Sequence, residues 1–245
     1  TGKVTSRIDG SITGGNNVYI ANTNGVVFGE TASVNVGNLY VTTQDLTKVD
    51  YSQPANSSKI GAGTAVIDTT TANGKAASSA KADVVSFVDT AGKNLKATKI
   101  VLEGRSVRIM NDANIESSEV YTLANTDPLK VEADGEKEVR PYTGYVHVGY
   151  DTSNAAPSTG TGNKYRNLTK DNIYKLVANA TKLNGMTTND KDANYMLRKD
   201  ITLPTGTPHT PIGTEAAPFK GRFDGMFHEI SGLTFDTAHE GTSTE

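Results

Sequence analysis

Residues 19 to 43 read YIANTNGVVFGETASVNVGNLYVTT, and the fold turns on what these short runs are. β-Branched and aromatic residues cluster at 18–21, 26–28 and 33–41, separated by Asn, Gly and Thr. Such side chains suit a pleated, half-buried surface. Asn and Gly suit the turning or left-handed backbone that must join the runs. Strands this short pack poorly as a sandwich. In a coil that lays down two or three short strands per turn, each strand stacks on its counterpart about 4.8 Å away. Asparagines then mark the corners, where an amide reaches nearby backbone groups.

The pattern continues outward from this stretch to about residue 150. Further strands are predicted at 64–68, 83–88, 98–102, 106–110, 120–123, 129–132 and 142–150. The links TNG, GAG, ANG, AGKN, EGR and ADGE each offer Gly or Asn where a turn needs positive φ. With 36% hydrophobic residues, the chain is poor material for one round core and better suited to a continuous core shared between neighbouring turns.

Composition narrows the chemistry. The chain has no cysteine, which removes disulfides, thiolate metal sites and a cysteine nucleophile. Its net charge of −3 offers no basic face for nucleic acid, so no nucleic-acid partner is expected. No stretch approaches the roughly 18 to 20 apolar residues of a membrane helix. The abrupt start at Thr1 and the polar end EGTSTE read as a piece of a longer chain.

Residues 151–167, rich in Ser, Gly and Pro, are expected to form a linker or exposed loop. A helix is expected over 168–185, LTKDNIYKLVANATKLNG: Thr169 caps it, Asp171 complements its positive end, Ile173, Leu176, Val177, Ala180 and Leu183 share a face, and Gly185 stops it. Strand signals resume at YMLRKDITL and HEISGLTF. The expected fold is all-β, a right-handed parallel β-helix over 1–150, with one short helix near 168–184 leading into a second β segment that runs to 245.

Two resemblances support this reading. RIDGSITGGNNVYIANTNGVVFGETASVNVGNLYVTT, residues 7–43, resembles the secretion domain of two-partner secretion exoproteins of the filamentous-haemagglutinin type. Asn22, Asn24, Gly25, Phe28, Gly29, Ala32, Asn35, Val36, Gly37 and Leu39 sit where that family's pattern wants them. Thr23 replaces a proline, Asn38 replaces a glycine, and only a few residues precede the motif where the family has a capping region, so that region is either trimmed away or divergent. The resemblance implies a β-helix exported across a Gram-negative outer membrane by a partner transporter. It also implies a secreted or cell-surface location.

Residues 194–235 resemble the GLUG-type repeat of large bacterial surface proteins. Tyr195, Leu197, Asp200, Ile201, Pro211, Ile212, Gly213, Phe219, Gly221, Phe223, Asp224, Gly225, His228, Ile230 and Leu233 fit its pattern.

Against this background most polar residues read as structure. Phe219, Phe223 and Ile230 are expected to stack in a core, and Asp224-Gly225 to make a tight turn. His228 has no partner at metal-ligand spacing. Asp190, Asp192 and Asn194 open like a calcium loop, but Tyr195 and Ile201 stand where that loop needs Gly and Glu. No nucleophile elbow, phosphate loop or zinc helix motif occurs. Carboxylates such as Asp112, Glu116, Glu119, Glu132, Asp134, Glu136 and Glu138 are scattered through turns. A glycosidase would need a pair of them aimed at one groove.

Sequons occur at Asn56, Asn167 and Asn179, as chance would produce in a chain rich in Asn, Thr and Ser, and most bacteria leave such sites bare; the resemblance implies that some adhesins of this type carry sugar there. The expected function is a monomeric, cofactor-free adhesin rod that meets a host-cell receptor or glycan. The alternatives are a β-helix enzyme acting on polysaccharide and the stalk of a contact-dependent toxin.

Overall fold

The computed structural model describes residues 4–22, 24–43, 84–87, 94–104, 106–124, 144–160, 162–186, 190–206, 208–226 and 228–234. The strands expected at 64–68 and 129–132, and Glu132, Asp134, Glu136, Glu138 and Asn56, lie outside them. The chain forms two compact units: Thr1–Val148 with Pro157–Asn172, and Gly149–Ala156 with Ile173–Glu245.

Among the described residues the first unit is built of strands, and every pairing of them is parallel. Strands β1 (Ser6–Ile8), β2 (Ser11–Thr13) and β3 (Asn17–Ala21) are followed by β4 (Val26–Phe28), β5 (Ser33–Asn35) and β6 (Asn38–Thr42). β4 lies on β1, β5 on β2 and β6 on β3, with Ser6 opposite Val26, Ser11 opposite Ser33 and Asn17 opposite Asn38. The order repeats in β7 (Val84–Phe87), β8 (Leu95–Lys96) and β9 (Lys99–Gly104), then in β10 (Ser106–Ile109), β11 (Ile115–Glu116) and β12 (Glu119–Ala124). β13 (Val146–Tyr150) pairs with β10 through Val146–Val148.

Register explains why these residues make strands. Ile12, Val34, Leu95 and Ile115 occupy one row, and Val18, Leu39, Ile100 and Val120 another. Val34, Leu95, Leu39, Ile100 and Val120 are almost wholly buried. Each such side chain contributes about 1.5–3 kcal/mol on burial. Alternate residues face the other way, as a period of two requires.

Three expectations need correction. The run expected as a single strand over 33–41 breaks at Val36-Gly37, where the Gly37 amide turns to donate to the Asn16 carbonyl at 3.1 Å. The segment expected as linker is packed structure in its second half: Tyr165 is fully buried and bridges in parallel to Val120. The helix expected over 168–185 is only α1 (Ala180–Gly185), capped by Asn179.

Within that last stretch Thr169 and Asn172 close a short 3-10 turn, and Ile173–Val177 forms strand β14. Tyr174 and Leu176 are both buried, so the two-residue period wins over the helical one once a parallel neighbour is present.

In the second unit that neighbour is β15 (Asn194–Leu197), and β17 (Phe223–Asp224) pairs with its far side, again in parallel. β16 (Ile201–Thr202) and β18 (Ile230–Ser231) form a second parallel pair. Val177, Leu183, Met186, Tyr195, Leu197, Ile201 and Leu203 make its core, with Ile212, Phe219 and Ile230 packed against it.

Candidate functional site

The family-like stretch occupies corners and inner rows of the first unit, and its polar residues bind one turn of chain to the next. At the corner between β3 and β4, Asn22 Oδ1 accepts the Asn24 amide at 2.9 Å, closing a side-chain-assisted turn. Asn22 Nδ2 donates to the Val4 carbonyl at 3.0 Å and to Ser6 Oγ at 2.7 Å. Its backbone amide donates to the Thr42 carbonyl at 3.1 Å. One asparagine thus ties three successive passes of the chain. The Asn24 carbonyl accepts the Thr5 hydroxyl at 2.8 Å, and Gly25 takes φ of 99° to complete the corner.

Phe28 is fully buried and its Cα is in register with Ile8 and Phe87. Gly29 sends its amide to the Ile8 carbonyl at 2.8 Å. Asn35 is exposed and holds the next corner through its carbonyl, which accepts the Gly14 amide at 3.0 Å. Gly37 has no room for a side chain: a Cβ would lie 2.5 Å from the Gly15 carbonyl oxygen and 3.1 Å from that of Asn16. Asn38, which stands where the resembled pattern has glycine, donates to Asn17 Oδ1 at 2.7 Å at the start of the third sheet, formed by β3, β6, β9 and β12.

That third sheet carries an outer layer which sequence reasoning missed. Tyr19, Tyr40, Val101 and Tyr121 share one outward row; the Tyr19 and Tyr40 rings lie 5.8 Å apart. Tyr40, Val101 and Tyr121 are buried, whereas Tyr19 is 36% exposed. Beside them the buried Glu103 accepts the Tyr40 hydroxyl at 2.5 Å and the Thr42 hydroxyl at 3.4 Å. Burial, then the Glu103 carboxyl, pushes the Tyr40 phenol far above its ordinary range. The signal was a Tyr at the same place in successive strands, legible only once the register is known.

Of the scattered carboxylates, the three among the described residues, Asp112, Glu116 and Glu119, each pair with a cation. Asp112 Oδ1 meets Lys164 Nζ and the Tyr165 hydroxyl, each at 2.7 Å. Glu116 pairs with Lys96 at 3.6 Å. Glu119 meets Lys99 at 3.4 Å and Arg166 at 3.6 Å. Desolvation opposes ionisation of Glu119, but the Tyr121 hydroxyl and these cations outweigh it and hold its carboxyl below the usual range.

In the second unit the repeat-like residues are spread between turns and packing. Gly213 takes φ of 90°, and Gly221 lies so close to the Ala193 carbonyl that a Cβ would overlap it. Phe219 packs on Tyr195, with ring centroids 6.2 Å apart. Phe223, expected in the core, is 40% exposed on β17, where Tyr195 is its only register partner among the described residues.

Asp224 Oδ1 accepts the Met226 amide at 2.9 Å, so the turn forms as expected, with the positive φ on Met226 rather than Gly225. His228 Nδ1 meets Asp200 Oδ1 at 3.0 Å, and that carboxylate also accepts the Glu229 amide. The amide and His228 hold Asp200 below the usual carboxylate range. Among the described residues no group of three or more His, Asp or Glu could hold a metal ion. Asp190, first in the calcium-like run, pairs with Lys175 at 2.7 Å.

Also unforeseen is Asp151, which meets Lys182 at 2.8 Å and Arg198 at 3.6 Å and accepts the Ser153 amide at 3.0 Å. The Lys182 ammonium and the Ser153 amide hold its carboxyl down at about 2.

No family model matches the chain, and no solved structure does. A stretch of 59 residues, 24% of the chain, is 39% identical to the heme/hemopexin-binding protein of Haemophilus influenzae, and covers 6% of that protein's length.

Proposed function

We propose that the chain is a right-handed parallel β-helix and forms part of a large two-partner-secretion exoprotein that works at the surface of a Gram-negative bacterium as an adhesin. One observation carries this reading: Asn22, Asn24, Gly29, Asn35 and Gly37, all positions of the resembled pattern, each bond to the preceding pass of chain. The partial likeness to a heme/hemopexin-binding protein adds heme and hemopexin to the ligands to be tested.

Export follows from the physics of such a coil. A chain without disulfides threads a pore unfolded, and each new pass buries apolar rows and completes a parallel ladder on the one before. Folding outside the membrane thereby draws the chain outward. The finished rod holds its exposed turns away from the cell, where a host receptor or glycan meets them.

The test is co-expression with a two-partner-secretion transporter, reading the fraction of chain in the medium with and without the transporter. Transporter-dependent release, reduced in Asn22→Ala, is the expected result; release that ignores the transporter would sink the export reading. Binding of the released chain to host cells, and to heme-loaded hemopexin, then separates adhesion in general from capture of a heme carrier.

A further inference from the structure

We propose that His209 is a pH-sensitive latch that holds the loop of residues 204–211 on the second unit and releases it in mild acid. The latch is a property of the folded second unit and depends on neither export nor adhesion.

The loop has one anchor between its ends. Leu203 before it is buried, and Ile212 after it packs on the core of the unit. Between them Pro204, Thr205, Gly206, Pro208, Thr210 and Pro211 are exposed, and His209 alone among the described residues of the loop is buried. Its ring reaches α1, where Nδ1 meets Asn184 Oδ1 at 2.7 Å, and its backbone amide donates to the Thr234 carbonyl at 2.6 Å. The side chain thus ties the loop to the helix, while the amide ties it to the segment after β18. Pro211, Ile212 and Gly213 belong to the resembled repeat pattern, but position 209 does not.

An amide oxygen only accepts, so Nδ1 carries the hydrogen and Nε2 takes the proton that arrives in acid. The Asn184 oxygen accepts in both states and brings no charge to balance the imidazolium. The elements that the ring joins add no anion. α1 carries one charged side chain, Lys182, whose ammonium is drawn to Asp151 at 2.8 Å. Residues 230–234 and the rest of 203–213 have no ionisable side chain.

Burial therefore lowers the His209 imidazole below its ordinary 6.5. A base held low in the closed loop contributes fully to closure above pH 6.5 and loses that contribution as pH falls from 6.5 through the lowered value. The opening equilibrium grows by up to about tenfold for each pH unit in that window. Once released, the charged ring is hydrated and no longer bound to Asn184. His228, also in the second unit, faces the Asp200 carboxylate at 3.0 Å, so the effect must be read at the loop itself.

Hydrogen exchange of the full chain, followed by mass spectrometry at about pH 7.5 and about pH 5.5 with exchange times scaled for the intrinsic rate, reads the loop directly. Peptides covering 203–212 should exchange faster at the lower pH, by up to about tenfold, while those covering 194–197 of β15 stay unchanged. Equal scaled exchange at the two pH values, or a rise that β15 shares, overturns the proposal.

Two variants separate a titrating latch from a contact that is only structural. His209→Asn keeps a neutral nitrogen donor for Asn184 and should make exchange of the loop independent of pH. Asn184→Asp sets a carboxylate against the ring and should keep the loop closed at the lower pH. An acid response that survives His209→Asn, or that Asn184→Asp leaves in place, counts against the proposal. If His209→Asn does not fold, the unmodified chain and Asn184→Asp decide the matter.

Discussion

Gly37→Ala sets two effects of opposite sign against each other. Replacing a glycine whose backbone angles suit any residue stabilises a protein by about 0.4–1 kcal/mol, because the unfolded chain loses freedom. Gly37 has no positive φ, so on that ground alone the change should help. The new Cβ, however, would stand 2.5 Å from the Gly15 oxygen and 3.1 Å from the Asn16 oxygen, both on the adjacent pass of chain. Backbone cannot swing aside as a flexible side chain can. The passes must separate locally, straining the bond from the Gly37 amide to Asn16 and the one from the Thr98 amide to the Gly37 carbonyl.

Overpacking of this kind costs about 1–3 kcal/mol, so the net loss should be about 1–2 kcal/mol and the melting midpoint should fall by about 2–8 °C. Gly10→Ala is the control: nothing lies within 4 Å of its Cβ position, and its φ is not positive. It should be neutral or slightly stabilising. Urea melts of both variants decide the matter. A neutral or stabilised Gly37→Ala would refute the close stacking of successive passes at this corner.

Asn22→Ala removes a turn acceptor and two donated bonds, so a loss of about 1–2 kcal/mol is expected in the same melts, with Asn22→Asp in between because it keeps the acceptor. Tyr40→Phe strips the buried Glu103 of its short hydroxyl donor and should cost about 1.5–3 kcal/mol; a loss under about 0.5 kcal/mol would contradict the bond. Asp151 has a folded pKa of about 2, below its ordinary 3.8. Its contribution, about 2 kcal/mol, is therefore fully present above pH 4 and is lost as pH falls through 2. Asp151→Asn should flatten that part of the stability profile, and an unchanged acid limb would contradict the pairing.

The inner rows were legible because alternation and turn residues are local signals: 26–28 appears as the strand expected, and the corner asparagines bond where a corner needs them. The helix over 168–185 was misread because Ile173, Leu176, Val177 and Ala180 satisfy a helical face while Tyr174 and Leu176 satisfy a strand. Only the parallel partner β15 decides between them. The Tyr40–Glu103 pair and the Asp151 cluster were invisible for a related reason. Their members lie far apart in sequence, and unequal links between strands hide which residues share a row. Phe223 was placed in a core by its spacing, yet burial depends on what covers a row, which spacing does not contain.

The most direct test of the central claim, a coil of stacked parallel passes, uses the absence of cysteine. Pairs are introduced at register positions, one in each sheet of the first unit: Arg7 with Val27, Thr13 with Asn35, and Asn17 with Asn38. Neighbouring strands lie about 4.8 Å apart, within the Cα separation a disulfide accepts. Under mild oxidation all three pairs should close in the folded monomer, while pairs offset by two residues should stay reduced. Offset pairs that close as readily, or in-register pairs that stay open, would contradict the stacked coil and the exported rod proposed from it.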